Sequence, residues 1–233
     1  MAQRKPRGQI GYMEIGSNVA YHIVELPQSK EEIEQWMLNH ALAAAGATGV
    51  DPYRLVSPPV RNPQAHFDFT LPTVAGQEYL DLQEIVVLPR GASGYDDGRP
   101  VYDAERMAEA VFQKVARKAK HYGKPRSPTH LMLYVTDWRF RLVDSVVRYL
   151  ILLLERRRHV FVTVSYFAPD DEESGEFISL YPASREFLEE YSQWHHAARQ
   201  TGKRQLIIVA DPKTAELDRS GGVMFPNPLA SRK

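Results

Sequence analysis

The stretch AHFDFTLPTVAGQEYLDLQEIVVLP, residues 65–89, decides the fold because it reads as two strands joined by a turn. Apolar and polar residues alternate at 65–71 and 78–88, and PTVAGQ between them is typical of a hairpin. Asp68 stands between two phenylalanines in the first strand, and Asp81 stands between two leucines in the second. Since aspartate is depleted in β-strands, its place in both strands needs a physical reason.

A shared metal ion is one such reason. Side chains alternate across a strand, so Asp68 shares a face with His66 and Thr70, while Asp81 shares a face with Gln83. If the hairpin pairs its polar faces, the two aspartates converge. Hard divalent cations such as Mg²⁺ prefer oxygen ligands, often one or two carboxylates plus waters. The pattern therefore predicts a site for Mg²⁺ or Mn²⁺ at Asp68 and Asp81.

The same pattern, an acid, a short hairpin and then acid–apolar–polar, resembles the PD-(D/E)XK superfamily of restriction-endonuclease-like nucleases. The matching residues are Asp68, Asp81 and Gln83, and the resemblance spans roughly residues 29–137. It implies a metal-dependent phosphodiester hydrolase acting on DNA or RNA, in which the two aspartates bind Mg²⁺ and Gln83 orients a water. The chain departs from the family pattern in two ways: Phe67 replaces a proline, and Gln83, which carries no charge, replaces a lysine.

A simpler reading remains open beside the nuclease. Antiparallel sheets often expose one polar face to water, and Asp68, Thr70, Asp81 and Gln83 would form such a face. The chain would then be a non-catalytic module with a degenerate nuclease-like fold that binds nucleic acid or protein.

Two helices carry further candidate residues. In the helix at 103–122, a basic stripe of four residues recurs at helical spacing: Lys114, Arg117, Lys118 and His121. Such a stripe suits a phosphate backbone, and Lys114 or Lys118 could replace the missing lysine, although a solvated helix face explains the stripe as well. In the first helix, Glu34 has no capping role, and the family resemblance makes it a candidate third metal ligand.

The order of elements is β–α–β–β–α–β–α–β–β–α–β, which predicts an α/β (α+β) fold with a mixed central sheet flanked by helices. The elements are predicted as strands at 18–26, 65–71, 78–88, 130–137, 159–167, 177–181 and 204–210, and helices at 29–46, 103–122, 142–155 and from Ser184. We expect a flexible basic arm at 1–18, a single domain at 19–211 and an irregular tail at 212–233. A third reading is a Rossmann-like domain whose core is 130–210, with 65–88 as an added hairpin.

Composition narrows the classes of protein. The chain of 233 residues has no cysteine, which excludes disulfides, thiolate metal sites and cysteine nucleophiles. The formal net charge is zero, so nucleic acid must be bound by a local patch rather than by a global field. The N-terminus lacks the apolar segment of a signal peptide, and the apolar run at 142–155 is too short to span a bilayer. We therefore expect a cytoplasmic protein with no membrane partner; the sequence leaves homo-oligomers open.

Overall fold

The computed structural model describes residues 10–15, 19–62, 67–87 and 101–183, together with 185, 187–189, 206–208, 216–217 and 223–224. Its helices are α1 (Lys30–Ala47), α2 (Ala104–Tyr122) and α3 (Asp144–Arg156), with a 3₁₀ turn at Trp138–Phe140. Its first six strands are β1 (Gly11–Ile15), β2 (Val19–Ile23), β3 (Val60–Arg61), β4 (Phe69–Thr73), β5 (Gly76–Glu84) and β6 (Val101–Asp103). The others are β7 (Thr129–Tyr134), β8 (Val164–Pro169), β9 (Gly175–Tyr181), β10 (Leu206–Ile208), β11 (Glu216–Leu217) and β12 (Val223–Met224).

Six strands form one mixed sheet in the order β3-β4-β5-β7-β8-β9. The pairs β5–β7 and β7–β8 are parallel, and the other pairs are antiparallel. A mixed central sheet with flanking helices confirms the predicted α/β class. The hairpin β4–β5 lies inside this sheet next to β7, so the Rossmann-like reading, which made it an addition to another core, is wrong.

Helices cover both faces of the sheet. All six residues of β7 are buried, as expected for a central strand with helices on both sides. On one face α2 and α3 pack over alternate residues of β7 and β8, among them Leu131, Leu133 and Tyr166. On the other face α1 packs over Leu80, Leu82 and the remaining residues of these strands. The sheet therefore separates two apolar cores.

The β4–β5 hairpin turns more tightly than the sequence predicts. Both strands extend into the expected turn, which shrinks to Val74 and Ala75, and Gly76 follows with φ at +118°, a conformation that favours glycine. The register pairs Phe69 with Leu80 and Thr70 with Tyr79. One step further along the same register, Asp68 lies opposite Asp81.

Helix α2 makes the crossover from β5 to β7. Asp103 caps its first turn by accepting hydrogen bonds from the backbone of Glu105 and Arg106, and Gly123 ends it with φ at +61°. The apolar stripe of α2 is buried, as the helical spacing predicts. The basic stripe borders the apolar stripe. The cations of α2 therefore lie above β5, at the edge of the sheet face that α2 covers.

Some predicted boundaries need correction. Residues 11–15 were expected in the flexible arm, but they form β1, which pairs antiparallel with β2 because two runs of strand-forming residues flank the turn signal Gly-Ser-Asn. Residues 60–61 lie outside every predicted element, but they form β3, which pairs with β4. In the tail expected to be irregular, β11 pairs with β12.

Two further boundaries shift on the other side of the sheet. Strand β8 begins at Val164 rather than at 159, because the His159 ring hydrogen-bonds to the carbonyl of Leu154 (3.2 Å) and so stays at the end of α3. The segment expected at 204–210 contributes β10, which pairs with β6 outside the six-stranded sheet. Of the last predicted helix, residues 185 and 187–189 are helical; the rest lies outside the described residues.

A row of polar side chains crosses the α1-covered face of the sheet. His130 contacts Glu78 Oε2 through Nε2 and Thr163 Oγ1 through Nδ1, both at 2.8 Å. Tyr53 covers this row, with its hydroxyl 3.0 Å from Ser165 Oγ and its ring edge-on to His130. Each of these buried groups has a partner, which limits the cost of burying them.

No helix in the described part of the chain is long and apolar enough to cross a membrane.

The row predicts a pH dependence of stability. Burial lowers the pKa of His130 from 6.5, although the bond to Glu78 opposes the shift. Below about pH 6.5 the unfolded chain therefore binds a proton that the folded chain resists, so this residue makes stability fall as the pH falls. In urea titrations between pH 7.5 and pH 5.5, we expect His130→Gln to lose this part of the wild-type decline. An identical pH slope in the two proteins would contradict the assignment.

Candidate functional site

Asp68 and Asp81 face each other at the open end of the hairpin, on the face of the sheet toward α2. Asp68 precedes β4, and its Oδ2 accepts a hydrogen bond from the Leu82 backbone N–H (2.7 Å). The two carboxyl groups are also hydrogen-bonded to one another. Asp81 is 1% exposed, so the reading of these residues as a solvated face does not hold for it. We call these two residues the acid pair.

Helix α2 supplies the partners of Asp81. Lys118 Nζ lies 2.5 Å from Asp81 Oδ2, and the hydroxyl of Tyr122 donates to the same oxygen. Lys118 and Tyr122 are four residues apart and therefore lie on one side of the helix. The side chain of Lys118 is 26% exposed, so the buried carboxyl group of Asp81 is paired with a lysine that solvent can partly reach.

The acid pair shares one proton near neutral pH. Burial raises the pKa of Asp81 most, and the hydrogen bond with Asp68 raises it further, to about 7, against the opposing charge of Lys118. For Asp68, burial opposes ionisation, but the hydrogen bonds from Asp81 and Leu82 outweigh it, and the pKa is lowered. Two adjacent carboxyl groups cannot both ionise freely, so Asp81 carries the proton and Asp68 the charge. Burial and the bond to Asp81 also raise the pKa of Tyr122, which stays a donor.

Gln83, the third residue of the family pattern, shares the face of Asp81 and is half-buried. Its amide nitrogen donates to the carbonyl of Glu84 at 2.8 Å, an interaction within its own strand. Glu84 points to the opposite face, where it accepts a hydrogen bond from Thr136. The cation beside the acid pair is thus Lys118 of α2, while the lysine position of the family pattern holds a neutral amide.

Glu34 lies on the other side of the sheet, in the layer of α1. It is 1% exposed, with Arg61 Nη2 2.9 Å from Oε2 and Lys30 Nζ 3.1 Å from Oε1. Among the residues that the structure describes, no group of three or more acidic, histidine or cysteine side chains could hold a metal ion. Glu34 is therefore not brought together with Asp68 and Asp81 as a third ligand.

Lys30 is paired with Glu34, and the charges of the acid pair also act on it. Burial alone would lower its pKa, but Glu34, and then Asp68 and Asp81, outweigh that effect and raise it. Its side chain is 60% exposed at the start of α1. Lys30 is not among the predicted site residues, and its position one residue after the helix cap gives no signal that it lies near these acids.

The basic stripe of α2 lies beside the acid pair with its four members in different settings. Lys118 contacts Asp81, Lys114 is half-buried, and Arg117 and His121 are exposed. The ring of His121 stands edge-on to Tyr122 at 5.3 Å. The stripe thus runs from the acid pair outward along the helix surface.

Three aromatic rings adjoin the acid pair. Phe67 stacks between Tyr79 and Tyr122, with ring centroids at 4.8 and 4.7 Å and interplanar angles of 20° and 27°. We call these rings the aromatic column. Alternation along the strand predicts that Phe67 and Asp68 point to opposite faces of the sheet. Phe67 precedes β4, however, and its ring turns to the face of Tyr79, so alternation does not predict the aromatic column.

The oxygen-rich acid pair suits a hard divalent cation. Mg²⁺ is commonly held by one or two carboxylates and keeps several waters, so two aspartates without a third acidic ligand are compatible with it. Burial of Asp81 and the raised pKa agree with a place where extra positive charge is favourable. The residues at such a site would be Asp68 and Asp81.

Comparison with known proteins adds little. No protein-family model matches the sequence, and no curated protein is significantly similar to it. Among solved structures, the chain is similar to SfsA from Pyrococcus furiosus in complex with Ca²⁺, at 13% identity over 74% of this chain and 75% of that chain, with a TM-score of 0.28. A likeness this low carries no argument about fold or activity.

The shared proton gives a second prediction. Between about pH 4 and 7 the folded Asp81 keeps a proton that the unfolded chain has released, so the free energy of unfolding falls as the pH rises. We expect Asp81→Asn to remove a decline of roughly 1–3 kcal/mol between pH 5 and pH 8, measured by urea denaturation.

Asp144→Asn is the matched control, because Asp144 is a 79% exposed acid at the start of α3 and should leave the decline in place. If Asp81→Asn keeps the full wild-type slope, the acid pair does not share a proton.

Proposed function

We propose that the chain is a metal-dependent phosphodiester hydrolase that acts on nucleic acid, with its site at the acid pair. The observation that carries the proposal is the opposition of Asp68 and buried Asp81 across the β4–β5 hairpin, with the Lys118 ammonium 2.5 Å from Asp81. Two carboxylates and a cation on one face are what hydrolysis of a phosphate diester needs: ligands for a divalent ion and positive charge for the phosphate.

Each residue of the site has a distinct role in this proposal. Asp68 and Asp81 would hold Mg²⁺ or Mn²⁺, an ion that supplies neutralisation of phosphate charge and acidification of a water. Lys118 takes the place of the lysine that the family pattern puts at Gln83, and its ammonium stabilises the negative charge that develops at the phosphate. Gln83 keeps a neutral amide at the rim, able to orient a water.

The basic stripe would hold the nucleic-acid backbone. Arg117 and His121 are exposed one turn apart on α2, and His121 is one turn from Lys118, so a strand lying along the helix would pass beside the acid pair. Contacts of this kind read phosphates rather than base sequence. The proposal therefore implies weak sequence preference and strong dependence of binding on salt.

A non-catalytic role is the second candidate, and one observation favours it. The Asp81 carboxyl group already receives Lys118 and Tyr122 and is bonded to Asp68, so its bonding capacity is met from within the protein. In that case the acid pair stabilises the packing of α2 on the sheet, and the basic stripe binds nucleic acid without cleaving it.

Cleavage assays separate the two candidates. Labelled single- and double-stranded DNA and RNA are incubated with Mg²⁺, with Mn²⁺ or with EDTA, and Mg²⁺ binding is measured in parallel by calorimetry. We expect metal-dependent cleavage that falls at least about 100-fold in Asp68→Asn and Asp81→Asn. Cleavage at the wild-type rate in both variants would exclude this site, and nucleic-acid binding without Mg²⁺ binding or cleavage would favour the non-catalytic module.

Lys118 gives a sharper test, because its ammonium and a divalent cation compete for the same carboxylate. In Lys118→Met we expect cleavage to fall by about 10²–10³-fold, while Mg²⁺ binds as tightly as in the wild type or more tightly. Lys120→Met, an exposed lysine two residues along the same helix, should change neither. If Lys118→Met weakens Mg²⁺ binding and leaves the cleavage rate unchanged, the role given to Lys118 is wrong.

A further inference from the structure

The aromatic column stands beside the acid pair and is joined to it by a hydrogen bond. Tyr122, at one end of the column, donates its hydroxyl hydrogen to Asp81. Tyr79, at the other end, lies on β5 two residues before Asp81 and is partly exposed. A group stacked on the Tyr79 end would therefore lie within a few residues of the site proposed for phosphate chemistry.

None of the helices described in the structure covers the outer part of this sheet face. Along β4, Phe69 and Leu71 are buried against α1, whereas Thr70 and Pro72, which point to the face of Tyr79, are partly exposed. Val60 of β3, paired with Thr70, is 57% exposed. The strands β3 and β4 thus form an open shelf that leads to the Tyr79 end of the aromatic column.

The charge beside the shelf is positive. Arg117 and His121 are exposed along α2, Lys118 is partly exposed, and exposed Lys124 follows the end of the helix. His121 touches the column itself through its edge contact with Tyr122. The cations of the helix and the rings of the aromatic column are thus neighbours on one side of the molecule.

We propose that the shelf and the aromatic column bind unpaired nucleobases, so that the protein prefers single-stranded nucleic acid to the duplex. Aromatic rings next to a basic groove bind single strands because every base has a face to stack on, whereas a duplex keeps its base faces inside. The base that stacks at Tyr79 would belong to a nucleotide near the scissile phosphate. This inference rests on the proposed function for its link to cleavage, but the binding preference is measured without it.

The experiment measures binding in EDTA, where no metal-dependent cleavage occurs. Fluorescence anisotropy compares a labelled single-stranded oligonucleotide, a duplex of the same sequence and a single strand in which the central bases are replaced by abasic sites. We expect the single strand to bind about 10-fold more tightly than either of the others, in line with the loss seen when one stacked base is removed.

Substitutions in the column assign the preference to these rings. Tyr79→Leu and Phe67→Leu should weaken single-strand binding about 10-fold and change duplex binding less than about twofold. Tyr79→Phe keeps the ring and should bind like the wild type. Phe67 is packed between two rings and its variant could lose structure, so each variant is checked by thermal melting. If Phe67→Leu melts early, Tyr79→Leu, at the partly exposed end of the column, decides the test.

The outcomes separate this inference from the proposed function. Equal or tighter binding of the duplex, no loss with the abasic strand, or a parallel loss for both substrates in Tyr79→Leu would each overturn the inference, even if the protein cleaves nucleic acid. A ring-dependent single-strand preference in a protein that cleaves nothing would uphold the inference and reject the hydrolase.

Discussion

The contact between Asp68 and Asp81 is the constraint on which the described site depends. Burying two carboxyl groups side by side is unfavourable unless protons, hydrogen bonds or cations compensate. Here the Leu82 N–H donates to Asp68, while Lys118 and Tyr122 of α2 reach Asp81. These compensating groups come from the hairpin itself and from a helix about 40 residues further along the chain, so the acid pair requires both to be in place.

The order of the elements meets this requirement. The hairpin register sets Asp68 opposite Asp81, and the parallel pairing of β5 with β7 forces a crossover, which α2 provides. Because α2 buries its apolar stripe over β7 and β8, its basic edge comes to lie over β5, where polar residues stand in the strand. The aspartates that seem out of place in a strand thus sit under the boundary between the apolar and the basic sides of the helix.

Local pattern predicted much of this arrangement. Alternation at residues 65–88 located the hairpin and the convergence of Asp68 and Asp81, and helical spacing located the stripe that includes Lys118. Burial of Asp81 was not predictable in the same way, because it depends on which strand lies under α2. Glu34 shows the limit most clearly: its place in α1 suggested a metal ligand, but α1 packs on the opposite face, where Arg61 and Lys30 bind its carboxylate.

In the proposed function, contacts within the protein compete with a metal ion for the acid pair. Without a metal ion, a proton and the Lys118 ammonium balance the charge of the acid pair. A divalent ion bound by Asp81 would compete with both. The central claim is that the acid pair is a divalent-cation site, and anomalous diffraction from crystals soaked in Mn²⁺ tests it most directly. The account predicts an anomalous peak between the carboxylates of Asp68 and Asp81, with the Lys118 ammonium moved away from Asp81. The absence of a peak between these carboxylates at a saturating Mn²⁺ concentration, with Lys118 still paired to Asp81, would contradict the account.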